Sequence, residues 1–89
     1  MFCTKIRIGQ RLQLLRESIK INIEIIDINK EERNVTIRID NHDYLLCKND
    51  RLSKRFFAVV IKDIVIGYRN DLVADIGIKA DKSIQISKH

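Results

Sequence analysis

Alternating isoleucines constrain the fold of this chain more than any other feature. Residues 18 to 25 read SIKINIEI, so every second residue from Ile19 to Ile25 is isoleucine and the residues between them are polar. Strict alternation of β-branched and polar residues is typical of a half-buried β-strand. The phase slips by one at Ile25 and Ile26 and then continues through Ile28, which predicts a β-bulge.

Further strands follow the same rule. Residues 34 to 40, NVTIRID, place Val35, Ile37 and Ile39 on one side, and the polar segment 29 to 33 before them is turn-like. The sequence therefore predicts a hairpin with the preceding strand. After a turn at residues 41 to 43, YLLC is predicted to form a shorter third strand. The end of the chain, beyond Gly67 and a turn at 68 to 71, is predicted to form two more strands.

One helix is expected between these strands. Asn49 and Asp50 are good N-cap residues. Apolar residues then recur at a spacing of four, which places them on one helical face: Leu52, Phe56, Val60 and Ile64. We expect a helix over residues 51 to 61. Beyond it, the β-branched run VVIKDIVI at 59 to 66 leaves helix and strand equally open.

Length and charge limit the function classes. The chain has 89 residues, which suits a single domain, 1 to 89, and a formal net charge of +5, which favours a polyanionic partner such as RNA. No signal peptide or uncharged membrane-spanning stretch is visible, so we expect a cytoplasmic protein that does not associate with membranes. Cys3 and Cys47 are expected to be reduced thiols, with Cys47 partly buried.

Motifs for catalysis or metal binding are missing from the sequence. His42 and His89 are expected to be solvated surface residues, and there is no HxxxH, HExxH or CxxC pattern. The glycines are too scattered to form a phosphate-binding loop. We therefore expect neither an enzyme nor a bound cofactor or metal.

Basic residues carry more information. In KIRI, residues 5 to 8, Lys5 and Arg7 share one face, opposite Ile6 and Ile8. Such a strand either presents cations to a ligand or is an edge strand protected from aggregation by its charges. In RLSKRFF, residues 51 to 57, the three cations are expected to form an ordinary solvated flank of the helix.

The two ends of the chain resemble the carbon storage regulator (CsrA/RsmA) family. The resemblance lies in RIGQRLQL, SIKINIEI and DIGIKADKSIQISK. The opening of the family pattern is matched by Arg7, Gly9, Leu12 and Leu14. Its closing hairpin is matched by Ile76, Gly77, Ile78, Ala80, Ile84, Ile86 and Lys88.

This resemblance implies a small β-sandwich or barrel that forms an interlocked homodimer. The first strand of one protomer would lie beside the last strand of its partner, and each pair would grip a GGA-containing loop of a messenger RNA or small regulatory RNA, altering translation or decay. Arg7 matches a basic strand position of the family, Lys88 matches its RNA-contacting arginine, and Lys5 shares the face of Arg7. The expected RNA-binding residues are therefore Lys5, Arg7 and Lys88.

Departures from the family pattern favour an alternative. Ile6 stands where a second arginine is usual, Gln10 replaces an acidic residue, Asp81 replaces a proline, and Ser87-Lys88 replaces a His-Arg pair. Residues from about 27 to 72, with the extra hairpin and the helix, appear as an insertion. The alternative function is a protein-interaction module that binds a partner through this insertion. A third interpretation is an unrelated small β-barrel or sandwich with chance alternation.

Overall fold

The computed structural model describes residues 1 to 67 and 69 to 89, which form nine β-strands. In chain order the strands are β1 (Phe2–Arg7), β2 (Arg11–Arg16), β3 (Ile19–Asn29), β4 (Asn34–Ile39), β5 (His42–Cys47), β6 (Arg51–Ser53), β7 (Phe57–Ile66), β8 (Leu72–Ala80) and β9 (Gln85–Lys88). The expectation of a mainly β protein is confirmed.

The strands form two antiparallel sheets. Sheet A has four strands in the order β1-β8-β7-β6, and sheet B has five in the order β5-β4-β3-β2-β9. Isoleucine, leucine and valine side chains from both sheets fill one core, and among them Ile6, Ile23, Ile61 and Ile76 are completely buried. A single chain thus covers the apolar faces of its own sheets.

The predicted hairpin and bulge are both confirmed. β3 and β4 are antiparallel partners, and their register shifts between Ile25 and Asp27. Within β3 the alternation buries Ile23 and Ile25, whereas Ile19 at the strand end is 41% exposed. β5 follows β4 through a two-residue turn in which Asp40 and Asn41 both have positive φ, as a tight hairpin turn requires.

The predicted helix is wrong. Residues 51 to 66 contain the hairpin of β6 and β7, which pairs Leu52 with Val59. The side chains of Phe57, Val59 and Ile61 alternate into the core, so the β-branched run obeys a period of two despite the apolar spacing of four. Tertiary pairing with β8 along the whole of β7 overrides the weak helical pattern.

The expected N-cap is instead a turn between the sheets. Asn49 has a positive φ of 73°, and its backbone N–H donates to the carbonyl of Ile61. The Asp50 carboxylate accepts a 2.8 Å hydrogen bond from the backbone N–H of Cys47, behind it in the chain rather than ahead of it. This turn carries the chain from sheet B to sheet A.

A second crossing between the sheets lies at Gly9. Its φ of +88° is a conformation that only glycine adopts without strain. The Gly9 N–H donates to the Ile25 carbonyl beside the β3 bulge, and the Gln10 side chain accepts a 2.9 Å hydrogen bond from the Arg7 N–H. The glutamine that departs from the family pattern therefore fixes this corner.

The two ends of the chain meet within the single chain. β1 pairs with β8, and β9 pairs with β2. The stretch expected to be a closing hairpin is thus divided: β8 belongs to sheet A and β9 to sheet B. This division lets each terminal strand find its antiparallel neighbour in its own chain. Residues 27 to 72 supply β4 to β7 and the end of β3, so they are integral to both sheets.

Candidate nucleic-acid interface

The outer surface of sheet A is basic. The inward residues of β1 and β8 are Ile6, Ala74 and Ile76, so the residues between them face outward. Four cations face outward by their register in the sheet: Lys5, Arg7, Arg51 and Lys79. Lys62 of β7 joins them, because its ammonium group contacts the outward residue Cys3. We call these five residues the basic face. Among them lies the carboxylate of Asp75, opposite Lys5 on β1 and opposite Asp63 on β7 in the register.

Gly77, at the centre of this face, is covered by the side chain of Met1. A β-carbon at Gly77 would lie 2.5 Å from the sulfur of Met1 and 3.1 Å from a methyl group of Val60. Met1 therefore folds over β8, and with Arg51 and Lys79 it lines a groove of about 100 Å³. From the other side, the Lys62 ammonium reaches to 3.5 Å from the sulfur of Cys3, across the intervening strand β8.

The three residues expected to bind RNA lie close together but in different settings. Lys5 and Arg7 both face outward, as the alternation predicted. Lys88 lies on β9, in register with buried Leu12, and its ammonium group donates a 2.6 Å hydrogen bond to the Lys5 carbonyl. Lys88 therefore bridges the open seam between sheets B and A, at the rim of the basic face.

An ion pair holds Arg7 in place. Its guanidinium donates to the carboxylate of Asp71, which lies in the β7–β8 connection. The hydrogen bond from Arg7 is the largest cause that lowers the pKa of Asp71 below its ordinary value. Any phosphate that binds Arg7 must therefore compete with Asp71.

Sheet B presents a contrasting outer surface of mixed charge. Arg38 and Asp43 form two hydrogen bonds of 2.7 and 3.2 Å, and this contact lowers the pKa of Asp43. Arg11 lies opposite Glu24 in the register. Since each of these cations has an acidic neighbour, sheet B offers a polyanion less than sheet A does.

Sequence reasoning missed three members of the basic face. Lys79 follows Asp75 and Gly77 in the same alternation, so its direction was readable from the sequence. Arg51 was assigned to a solvated flank of the predicted helix 51 to 61, and Lys62 lies just beyond it, where helix and strand were left equally open. Cys47, expected to be partly buried, is exposed, as is Cys3.

The described residues were also compared with the requirements of a metal site and of a membrane-spanning helix. Within residues 1 to 67 and 69 to 89, no group of three or more His, Cys, Asp and Glu side chains is arranged to hold a metal ion. Over the same residues, no helix qualifies as a membrane-spanning segment.

Comparisons with known proteins give no relative: no family model matches the chain, and neither the curated proteins nor the solved structures contain a significant match.

Proposed function

We propose that this protein binds single-stranded RNA across the basic face of sheet A and acts as a post-transcriptional regulator without catalysis. The observation that carries this proposal is the asymmetry of charge between the two sheets. Within residues 1 to 67 and 69 to 89, Arg51, Lys62 and Lys79 of sheet A form no ion pair, whereas on sheet B Arg38 pairs with Asp43 and Arg11 lies opposite Glu24. Phosphate contacts by such cations supply most of the affinity for a nucleic acid.

A single strand suits this surface better than a duplex. The basic face is one side of a four-stranded sheet, with a shallow groove lined by Met1, Arg51 and Lys79. Sequence-specific recognition of RNA usually depends on unpaired bases whose edges can reach such a surface. GGA-containing loops are the proposed target class, on the basis of the resemblance at Arg7, Gly77 and Lys88.

The salt dependence of binding tests this proposal. We expect the affinity for a GGA loop to fall steeply with salt, and Lys79→Gln to reduce the slope of log K against log salt by about 0.7. Lys20→Gln is the matched control, because Lys20 is an exposed lysine on the outward phase of sheet B. A scrambled loop measures sequence selection.

Two results would overturn the proposal. Absence of binding at low salt would reject RNA as the ligand and favour the protein-interaction module. Equal losses for the Lys79 and Lys20 variants would show that binding is diffuse rather than located on sheet A.

We also propose that the protein forms a homodimer. Ile66 of β7 lies opposite Leu72 of β8. On the other side of β8, Arg7 lies opposite Val73, so Ile8, the next residue of the chain, lies beside Leu72. Ile66, Leu72 and Ile8 therefore form an apolar row across one end of sheet A. Ile8 and Ile66 are 50% and 56% exposed although they follow the inward phase. Exposed apolar rows of this kind mark interaction surfaces.

Sedimentation measurements test the dimer. The wild-type protein is expected to show a dimer mass that Ile66→Lys converts to a monomer mass, whereas Leu45→Lys, at an exposed leucine of β5, leaves the mass unchanged. A monomer mass for the wild-type protein at tens of micromolar would contradict the proposal.

A further inference from the structure

A groove lined by aromatic side chains lies at one end of the sandwich. It has a volume of about 230 Å³ and is bounded by the β4–β5 turn, β5 and the β6–β7 turn. Ile21, Ile39, Tyr44, Phe56 and Phe57 form its apolar walls, and its other lining residues are Asp40, His42, Lys54 and Arg55. We call it the aromatic groove. Its volume is below the roughly 300–1,000 Å³ of sites for drug-sized ligands, so it suits a single ring system.

Cations cover the rings of the groove. The Arg16 guanidinium lies 4.9 Å from the centre of the Phe56 ring, and the Arg55 guanidinium lies 5.3 Å from it. The Lys54 ammonium lies 4.3 Å from the centre of the Tyr44 ring and contacts its hydroxyl group. Planar guanidinium groups and aromatic rings are the two surfaces on which proteins stack unpaired bases.

The aromatic groove is continuous with the basic face. A neighbouring groove is lined by Arg51 and Lys79 of the basic face and also by Lys54, Arg55 and Phe56 of the β6–β7 turn. A strand that crosses sheet A can therefore continue over this turn along a groove that carries four cations and one carboxylate, that of Asp81.

We propose that the aromatic groove binds one unpaired nucleobase of the RNA strand that crosses the basic face. The base stacks on Phe56 in place of Arg55, whose side chain is exposed and free to turn towards the adjacent phosphate. Tyr44 and Lys54 offer polar atoms to the edge of the base. This inference rests on the proposed RNA binding and adds a site of base selection to it.

An abasic scan tests the stacked base. Single-stranded RNA oligonucleotides, each with one base removed, are titrated against the protein by fluorescence anisotropy. With the wild-type protein, removal of the stacked base is expected to weaken binding on the order of tenfold. The Phe56→Leu variant is expected to bind the intact RNA more weakly by the same factor, and removal of that base should then have no further effect on its affinity. Phe2→Leu is the control, because Phe2 is 37% exposed at the start of β1, on another part of the surface.

A second measurement is independent of any variant. A fluorescent aminopurine placed at the sensitive position is expected to lose emission when the wild-type protein binds, because stacking on an aromatic ring quenches it. RNA binding that depends on Lys79, with no position sensitive to base removal and no quenching, would overturn the stacked base while sparing the basic face. Absence of RNA binding at low salt would overturn both.

Discussion

The ammonium group of Lys88 donates a hydrogen bond of 2.6 Å to the backbone carbonyl of Lys5. These residues belong to the edge strands of different sheets, β9 in sheet B and β1 in sheet A. The contact closes the seam between the sheets and brings the two ends of the single chain together. The convergence that the family resemblance assigns to two protomers is thus achieved within a single chain.

The seam contact is expected to stabilise the fold. Lys88→Met removes the donor and leaves the Lys5 carbonyl at an edge strand to be satisfied by water. We expect the free energy of unfolding to fall by about 1 kcal/mol, the typical net value of one hydrogen bond. Urea unfolding measures this loss, with Lys82→Met as a control in the exposed β8–β9 connection. Equal stability of both variants would show that the seam holds without Lys88.

Asp71 is expected to restrain Arg7. Asp71→Asn removes the carboxylate that pairs with the Arg7 guanidinium and frees that side chain for phosphate. We predict a severalfold gain in affinity for single-stranded RNA, measured by anisotropy at moderate salt. Asp27→Asn on sheet B is the control, because it removes one negative charge far from Arg7. If Arg7 has no part in binding, Asp71→Asn should raise the affinity no more than this control does.

The same ion pair makes stability depend on pH. The folded-state pKa of Asp71 lies below the ordinary value of 3.8, so its stabilisation is fully present above that value and is lost as the pH falls through the folded pKa. The difference in stability between wild type and Asp71→Asn should therefore be constant near neutral pH and shrink below pH 3.8. Thermal unfolding across this range measures it, and a difference that grows on acidification would contradict the ion pair.

Two glycines of the family-like motifs are expected to tolerate alanine differently. At Gly9 a side chain has open space, but the positive φ makes any L-residue strained by about 1–2 kcal/mol. At Gly77 the new methyl group meets the flexible end of Met1, which can move away, and a methyl group of Val60 at 3.1 Å, which must shift by only a few tenths of an ångström. Gly9→Ala should therefore lower the melting temperature more than Gly77→Ala. The reverse order would contradict the positive φ at the Gly9 crossing between the sheets.

Substitutions at the adjacent residues Phe56 and Phe57 distinguish the observed strand β7 from the helix expected from the sequence. In β7 the Phe57 side chain is buried, whereas Phe56 is half-buried in the preceding turn. A charge at Phe57 would be buried without a partner, which costs several kcal/mol. Phe57→Asp should therefore prevent folding while Phe56→Asp still unfolds cooperatively. A helix with Leu52, Phe56, Val60 and Ile64 on one face would reverse this order.

Strict alternation was the reliable part of the sequence. It assigned β3 and β4 correctly, located the bulge after Ile25, and gave the outward direction of Lys5 and Arg7, because a period of two has one structural meaning when one face is buried. The prediction failed at residues 51 to 61, where a spacing of four indicated a helix although Phe57, Val59 and Ile61 alternate into the core. There the pairing of β7 with β8, which no local pattern reveals, decided the outcome.

Long-range arrangement was the other missing part. The sequence predicted strands on either side of Asp81 but not that they enter different sheets, so the closeness of Lys88 and Lys5 within one chain was not foreseen. The aromatic groove was missed for the same reason: Tyr44 and Phe56 are distant in sequence and meet only at the end of the sandwich.

The most direct test of RNA binding on sheet A is a map of amide chemical shifts during titration with a single-stranded GGA-containing RNA. We predict that the largest changes fall on β1, β7 and β8 around Lys5, Lys62 and Lys79, with a second group at the β6–β7 turn. The amides of β3 and β4 on sheet B should remain nearly unchanged. Changes centred on sheet B, or none at RNA concentrations that saturate binding to other basic proteins, would contradict RNA binding by sheet A.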